Sequence, residues 1–222
     1  MITKEKLARK IDHTLLKPNA TEDDITRLCQ EAIKYGFWSV CVNPAYVPLA
    51  AEILTGTDVR VCSVVGFPLG ANVSEVKAIE AEKAISNGAS EIDMVMNIGA
   101  LKSHNYELVK RDIRKVVKHA RAIRKNIVIK VIIETGLLTE DEKVLACRFV
   151  KDEGANFVKT STGFSSSGAT IHDVKLLRNT VGPNFGVKAS GGIRTHHYAI
   201  ELVEAGANRI GTSSGVVIIE EG

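Results

Sequence analysis

Four charged residues stand where buried strands should be apolar. Asp93 interrupts Ile92-Asp93-Met94-Val95, Lys130 interrupts Ile129-Lys130-Val131, Lys159 interrupts Val158-Lys159-Thr160, and Lys188 interrupts Val187-Lys188-Ala189. A strand of a parallel sheet is covered on its outer face and reads as a near-continuous apolar run. Alternation turns Val158 and Thr160 to one side and Lys159 to the other, and treats Lys188 between Val187 and Ala189 the same way. The charges then converge in one interior. A buried charge costs several kcal/mol, of order 3 to 5, unless it is paired or shifts its pKa. Asp93 and Glu134 are the expected counter-ions of the lysines, with Lys130 paired to one of them.

Two interior lysines allow carbonyl chemistry. A lysine attacks a carbonyl only when neutral, and an ordinary pKa of about 10.4 leaves about one molecule in 2,500 neutral at pH 7. A second ammonium at about 5 Å, with an effective dielectric of about 20, opposes the charge by about 3.3 kcal/mol. Lys159 and Lys188, inward on neighbouring predicted strands, can meet that distance, and Asp93 can carry protons between water and the reacting atoms. The loops after these strands, Thr160-Ser161-Thr162-Gly163-Phe164, Ser190-Gly191-Gly192-Ile193-Arg194 and Gly211-Thr212-Ser213-Ser214-Gly215, are rich in glycine and hydroxyls. Such loops bring backbone N–H groups close to an anion, and a following helix N-terminus adds a favourable dipole. Arg194 can reach a phosphate or stand as a surface charge. Together these features describe a Schiff-base enzyme acting on a small phosphorylated carbonyl compound.

The elements that must hold these residues recur along the chain. β-branched runs at 11–15, 38–42, 59–65, 91–96, 127–134, 156–161, 185–190 and 208–211 alternate with amphipathic stretches at 22–35, 45–54, 73–87, 105–124, 140–152, 171–179 and 195–205. Gly36, Gly88, Gly154 and Gly206 are helix stops. Asn87-Gly88-Ala89, Glu153-Gly154-Ala155 and Ala205-Gly206-Ala207 each lead from such a stop into a strand. Eight such units without a GxGxxG after the first strand predict an α/β chain folded as one (β/α)8 TIM barrel spanning 1–222, rather than a doubly wound open sheet. Barrels place active sites at the C-terminal strand ends and commonly hold phosphate after strands seven and eight.

Composition excludes other classes. The 222 residues are 45% hydrophobic and 25% charged with a formal net charge of +3. Aromatic residues make up 5% and no basic run is interleaved with rings, so no nucleic-acid partner is expected. No apolar run approaches the roughly 20 residues of a membrane span, and the N-terminal residues do not read as a signal peptide. A cytoplasmic protein is expected. Its four cysteines, Cys29, Cys41, Cys62 and Cys147, form no CxxC pair and read as reduced, buried thiols. His196 and His197 are adjacent, lie about 100° apart on a helix and read as surface residues rather than metal ligands. His13 reads as a structural hydrogen-bonding residue, and Cys41 as a small apolar lining residue. No metal and no cofactor are expected.

Ile11-Asp12-His13-Thr14-Leu15-Leu16-Lys17-Pro18, Glu91-Ile92-Asp93-Met94-Val95, Phe157-Val158-Lys159-Thr160-Ser161-Thr162-Gly163-Phe164 and Val187-Lys188-Ala189-Ser190-Gly191-Gly192-Ile193-Arg194 resemble the motifs of the deoxyribose-phosphate aldolases. The likeness covers nearly the whole chain. It implies a class I aldolase that reversibly cleaves 2-deoxy-D-ribose 5-phosphate to D-glyceraldehyde 3-phosphate and acetaldehyde, in deoxynucleotide catabolism and without a cofactor. By this resemblance Lys159 is the Schiff-base lysine, Lys188 the neighbour that lowers its pKa, and Asp93 the proton relay. Asp12 matches an acid near the substrate hydroxyls. Gly163, Gly191, Gly192, Ser213 and Ser214 match phosphate-binding positions, beside Thr162. The C-terminal residues differ from members that carry a tyrosine used in proton transfer. A homo-oligomer is expected. Two alternatives remain open at the level of sequence: another Schiff-base sugar-phosphate aldolase or transaldolase, and a non-catalytic sugar-phosphate-binding barrel.

Overall fold

In the computed structural model, which describes residues 2–222, eight parallel strands pair in chain order and the last returns to the first, closing the barrel. They are β1 (Ile11–Leu15), β2 (Ser39–Val42), β3 (Arg60–Val65), β4 (Glu91–Val95), β5 (Val128–Ile132), β6 (Phe157–Lys159), β7 (Gly186–Ser190) and β8 (Arg209–Thr212). The helices are α1 (Lys4–Ala8), α2 (Glu22–Tyr35), α3 (Val47–Ile53), α4 (Ser74–Ser86), α5 (Ile98–Lys102), α6 (Tyr106–Ile123), α7 (Glu140–Asp152), α8 (Ile171–Val181), α9 (His196–Glu204) and α10 (Gly215–Glu220). All eight expected strands and seven expected helices are present. The short helices α1, α5 and α10 have no counterpart in the sequence reading, because five or six residues carry too little of a 3.6-residue period.

Local chemistry fixes the helix ends. Thr21 opens α2 and Thr139 opens α7 with reciprocal capping boxes to Asp24 and Glu142. The four expected stops, Gly36, Gly88, Gly154 and Gly206, all have positive φ.

The apolar core lies between barrel and helices, where Ile25, Ile92, Met94, Val116, Val131, Val158 and Leu202 are fully buried. The barrel interior is different: its strands place Asp12, Glu91, Asp93, Lys130, Lys188 and Arg209 inside. At the C-terminal end of the interior, Leu16, Cys41, Cys62 and Val64 form a small apolar cluster. All four cysteines are free and buried, and burial pushes the Cys147 thiol up to about 12.

One buried ion pair sits outside the barrel, between α4 and α6. Lys77 Nζ donates to Asp112 Oδ2 at 2.6 Å and to the Val95 carbonyl at 2.9 Å. Burial lowers the Lys77 pKa and raises that of Asp112, so each charge survives on the strength of its partner. Asp112→Leu should therefore destabilise the fold by about 3 to 5 kcal/mol, and adding Lys77→Met should restore most of that loss. Urea unfolding midpoints of the two variants check this; equal midpoints would show that the pair is dispensable.

Candidate active site

Asp93 is the centre of the interior. Its Oδ2 accepts from Lys159 Nζ and from Lys188 Nζ, both at 2.8 Å. The two amines therefore lie no farther apart than twice that distance. Register explains the meeting: Lys159 and Lys188 are direct partners across β6 and β7. Asp93 Oδ1 accepts from Lys130 at 2.7 Å and from the Cys62 thiol at 3.2 Å. Every lone-pair direction of this carboxylate is occupied.

A second tier lies below. Lys130 Nζ is 2.6 Å from Glu91 Oε2, and Lys188 Nζ is 2.5 Å from Asp12 Oδ2. Arg209 reaches both Asp12 and Glu91 and packs its guanidinium 4.3 Å from the Trp38 ring centre. Gly211 makes room for this arrangement, since a Cβ there would stand 2.9 Å from Lys188 Cε. Lys130 thus pairs with Asp93, as expected, and not with Glu134. The Glu134 carboxylate turns away from the barrel axis and accepts from Thr162 and Ser165.

Charge explains the direction of each pKa. Burial alone would raise Asp93, but Lys130, Lys159 and Lys188 outweigh it and hold the carboxyl well below its usual range. Burial would likewise raise Asp12; Lys188, Arg209 and Lys130 bring it down. Burial would discharge Lys188, yet Asp12 and Asp93 hold its ammonium well above the ordinary lysine value. Three carboxylates, Asp12, Glu91 and Asp93, face Lys130, Lys188 and Arg209, which balances the buried set. Lys159 is the fourth cationic side chain on this set and the one that reaches open space.

That space is a cavity of about 420 Å³ at the C-terminal strand ends. Lys159, Thr162, Gly163, Gly191, Gly192, Arg194 and Ser213 line it, all of them expected site residues. Asp93, Lys188 and Asp12 lie beneath its floor and are fully buried. Asp12 is therefore a partner of Lys188 and Arg209 in this state rather than a wall residue. Ser214 is half-buried and stands at the start of α10, outside the cavity lining and without a side-chain capping bond.

The cradle loops differ in one respect from the sequence reading. Three of their hydroxyls are committed to each other's backbone: Ser190 Oγ donates to the Ser161 carbonyl, Thr160 Oγ1 to the Ser190 carbonyl, and Thr212 Oγ1 to the Ile193 carbonyl. The amides of Gly163, Gly191, Gly192 and Ser213 donate to no acceptor among the described residues. Gly191 and Gly192 have φ of 89° and 76°, a succession that aims backbone N–H groups outward as only glycines do easily.

Phe164, Ser190, Ile193, Gly211 and Thr212 also line the cavity and were named only as members of the three loops, while Thr14, Leu15, Leu16 and Lys17 were given no site role. Glu91 and Arg209 were missed as well. Glu91 lies two residues before Asp93 and so shares its face, a signal that alternation offers directly. His13 makes the expected structural bond, to Glu31 Oε2 at 2.6 Å. His197 is exposed, but His196 is half-buried with Nδ1 2.9 Å from the Ile218 carbonyl, a correction to its reading as a surface residue. Among the described residues, Cys41, Cys62 and Asp93 bring their ligand atoms within 4.8 Å of one another. Three ammonium groups on the same carboxylate oppose a cation there.

A closed (β/α)8 barrel with a lysine amine in the floor of its strand-end cavity, and uncommitted amides at the rim, is built for covalent carbonyl chemistry on an anionic compound. The chain belongs to the DeoC/LacD family of aldolases, whose model matches residues 6–220. It is 57% identical over 225 residues to the deoxyribose-phosphate aldolase of Caldanaerobacter subterraneus subsp. tengcongensis, covering 100% of this chain and 97% of that one. It is 59% identical to the deoxyribose-phosphate aldolase of Thermococcus kodakarensis, covering 99% and 98%. Among solved structures, the tetrameric deoxyribose phosphate aldolase of Aeropyrum pernix superposes with a TM-score of 0.91 at 40% identity, over 98% of this chain and 91% of that one. The aldolase QR15 gives a TM-score of 0.91 at 41% identity, over 97% and 95%. No described helix is long and apolar enough to cross a membrane.

Acid should dismantle the interior first. The native pKa values of Asp93 and Asp12 lie below the unfolded value, so their stabilisation is complete above about pH 4 and is lost as pH falls toward the native values. Urea midpoints measured from about pH 6 down to about pH 3 should fall steeply below about pH 4. A flat profile would show that these carboxylates do not hold the barrel together.

Proposed function

We propose that the protein is a class I aldolase that reversibly cleaves 2-deoxy-D-ribose 5-phosphate to D-glyceraldehyde 3-phosphate and acetaldehyde. The observation that carries this reading is the sharing of Asp93 Oδ2 by Lys159 and Lys188, with Lys159 alone of the pair opening to the cavity. The names of the relatives support the substrate.

The roles follow from position. Neutral Lys159 adds through Nζ to the C1 aldehyde of the open-chain sugar, and the carbinolamine loses water to leave an iminium. A base then takes the C3 hydroxyl proton, the C2–C3 bond breaks, and its electron pair moves into the iminium to form an enamine as glyceraldehyde 3-phosphate departs. Protonation at C2 and hydrolysis release acetaldehyde and regenerate Lys159. Asp93 carries protons in these steps, directly or through water. Its position fits this role, because Oδ2 stands 2.8 Å from Lys159 Nζ, the atom at which protons are gained and lost in these steps. Lys188, pinned by Asp12 and Asp93, remains cationic throughout.

At the other end, the phosphate takes the amides of Gly163, Gly191, Gly192 and Ser213, with Arg194 at the rim and α9 beginning just beyond it. The loops that follow β7 and β8 are the common phosphate positions of such barrels. A homo-oligomer is part of the same reading, supported by the tetrameric relative.

Borohydride reduction in the presence of acetaldehyde, followed by peptide mapping, tests the nucleophile. An ethyl group on Lys159 is expected. Lys159→Ala should fold, because the remaining buried charges still balance, and should give no adduct; retained turnover would sink the mechanism. Lys188→Met tests the neighbour: with one buried cation gone the carboxylates need the charge of Lys159, so adduct formation should slow and its pH dependence move alkaline. An unchanged pH profile in a folded variant would make Lys188 purely structural.

A further inference from the structure

Among the described residues only His104 and Glu134 combine a side chain with a left-handed backbone. For Glu134, φ is 55° and ψ is 68°. A residue with a Cβ holds that conformation only where its surroundings impose it, and such residues gather at functional sites. Here the imposing contacts are on either side. The Ile133 amide donates to the Lys159 carbonyl at 3.0 Å and the Thr135 amide to the Thr160 carbonyl at 2.9 Å. Glu134 is the residue between two successive bonds to the end of β6, and its side chain is sent over the strand end into the next loop.

There the carboxylate, 3% exposed, gathers three donors. Oε2 accepts from the Thr162 amide at 3.2 Å and from the Thr162 hydroxyl, and Oε1 accepts from Ser165 Oγ at 2.9 Å. The Thr162 hydroxyl oxygen in turn accepts from the Phe164 amide at 3.1 Å. Gly163, which lines the cavity with φ 84° and an amide that has no acceptor among the described residues, is thereby bracketed by Thr162, bound to the carboxylate, and Phe164, bound to the Thr162 hydroxyl. Glu134 itself does not line the cavity.

We infer that Glu134 is a positioning residue: it holds Thr162-Gly163-Phe164 in the form that presents the Gly163 amide to a phosphate, and so sets the preference for phosphorylated over non-phosphorylated substrates. The inference rests on the aldolase reading for its substrate. The choice of an acid is explained by the donors it meets, since a carboxylate only accepts, whereas an amide would turn an N–H group toward one of them. Thr162 then serves recognition through its neighbour: its amide and its hydroxyl are both committed to Glu134, and the free amide is that of Gly163.

The test compares 2-deoxyribose 5-phosphate with 2-deoxyribose in the wild type and in Glu134→Gln, Thr162→Val and Thr162→Ser. Loss of these charge-assisted bonds should raise KM for the phosphorylated sugar about tenfold in Glu134→Gln and Thr162→Val. KM for the non-phosphorylated sugar and the rate of borohydride trapping of acetaldehyde on Lys159 should stay within about twofold of wild type. Inhibition by inorganic phosphate should weaken in parallel, and Thr162→Ser, which keeps the hydroxyl, should behave as wild type. An unchanged KM, or an equal change for both sugars with slowed trapping, would overturn the inference. Should Glu134→Gln fail to fold, Ser165→Ala decides, because it removes the Oε1 donor at a residue outside the cavity lining: a raised KM for the phosphorylated sugar alone is expected, and an unchanged KM overturns the inference. A wild-type protein that traps no acetaldehyde on Lys159 would defeat the aldolase reading instead.

Discussion

The structure depends on one carboxylate. Asp93 stands fully buried on the barrel axis and accepts from three lysines and a thiol. A lone charge in that position would cost several kcal/mol, and so would each lysine without it. Collected together, they make a set in which Asp12, Glu91 and Asp93 offset Lys130, Lys188 and Arg209, while Lys159 stands at the edge. The nucleophile proposed for this site thus stands where the rest of the network is already balanced.

The same arrangement separates chemistry from recognition. The Lys159 amine stands in the floor, and the amides without acceptors belong to residues around the rim on loops after β6, β7 and β8. Those loops are held by their own hydroxyls. Thr160, Ser190 and Thr212 bind neighbouring backbone, and Glu134 binds the loop that follows β6. A cradle stitched in this way loses little freedom when a ligand arrives, which is the physical advantage of preorganisation. Membership of the DeoC/LacD aldolase family accords with a scaffold of this kind, in which strand positions carry the chemistry and loops choose the substrate.

What the sequence determined by itself was local. Period-two alternation put Asp93, Lys130, Lys159 and Lys188 on one side of their strands, and the structure has all four in the interior. Glycine stops marked helix ends, and the recurring strand and helix pattern marked the barrel. Part of the cavity rim was legible too, because glycine-rich loops are written contiguously: Gly163, Gly191, Gly192, Arg194 and Ser213 all line it.

Only the tertiary structure decided who pairs with whom. Closure of β8 on β1 brings Arg209 to Asp12 across 197 positions of the chain, and no pattern along the sequence encodes that distance. Register set Lys130 against Asp93 and sent Glu134, the other plausible partner, over the strand end to Thr162. It also drew Asp12 and Lys188 below the cavity floor, where sequence suggested a site acid and could not show its depth. The reason is the same in each case: side-chain direction is a property of neighbouring residues, whereas an ion pair is chosen by competition among all the charges that folding brings together.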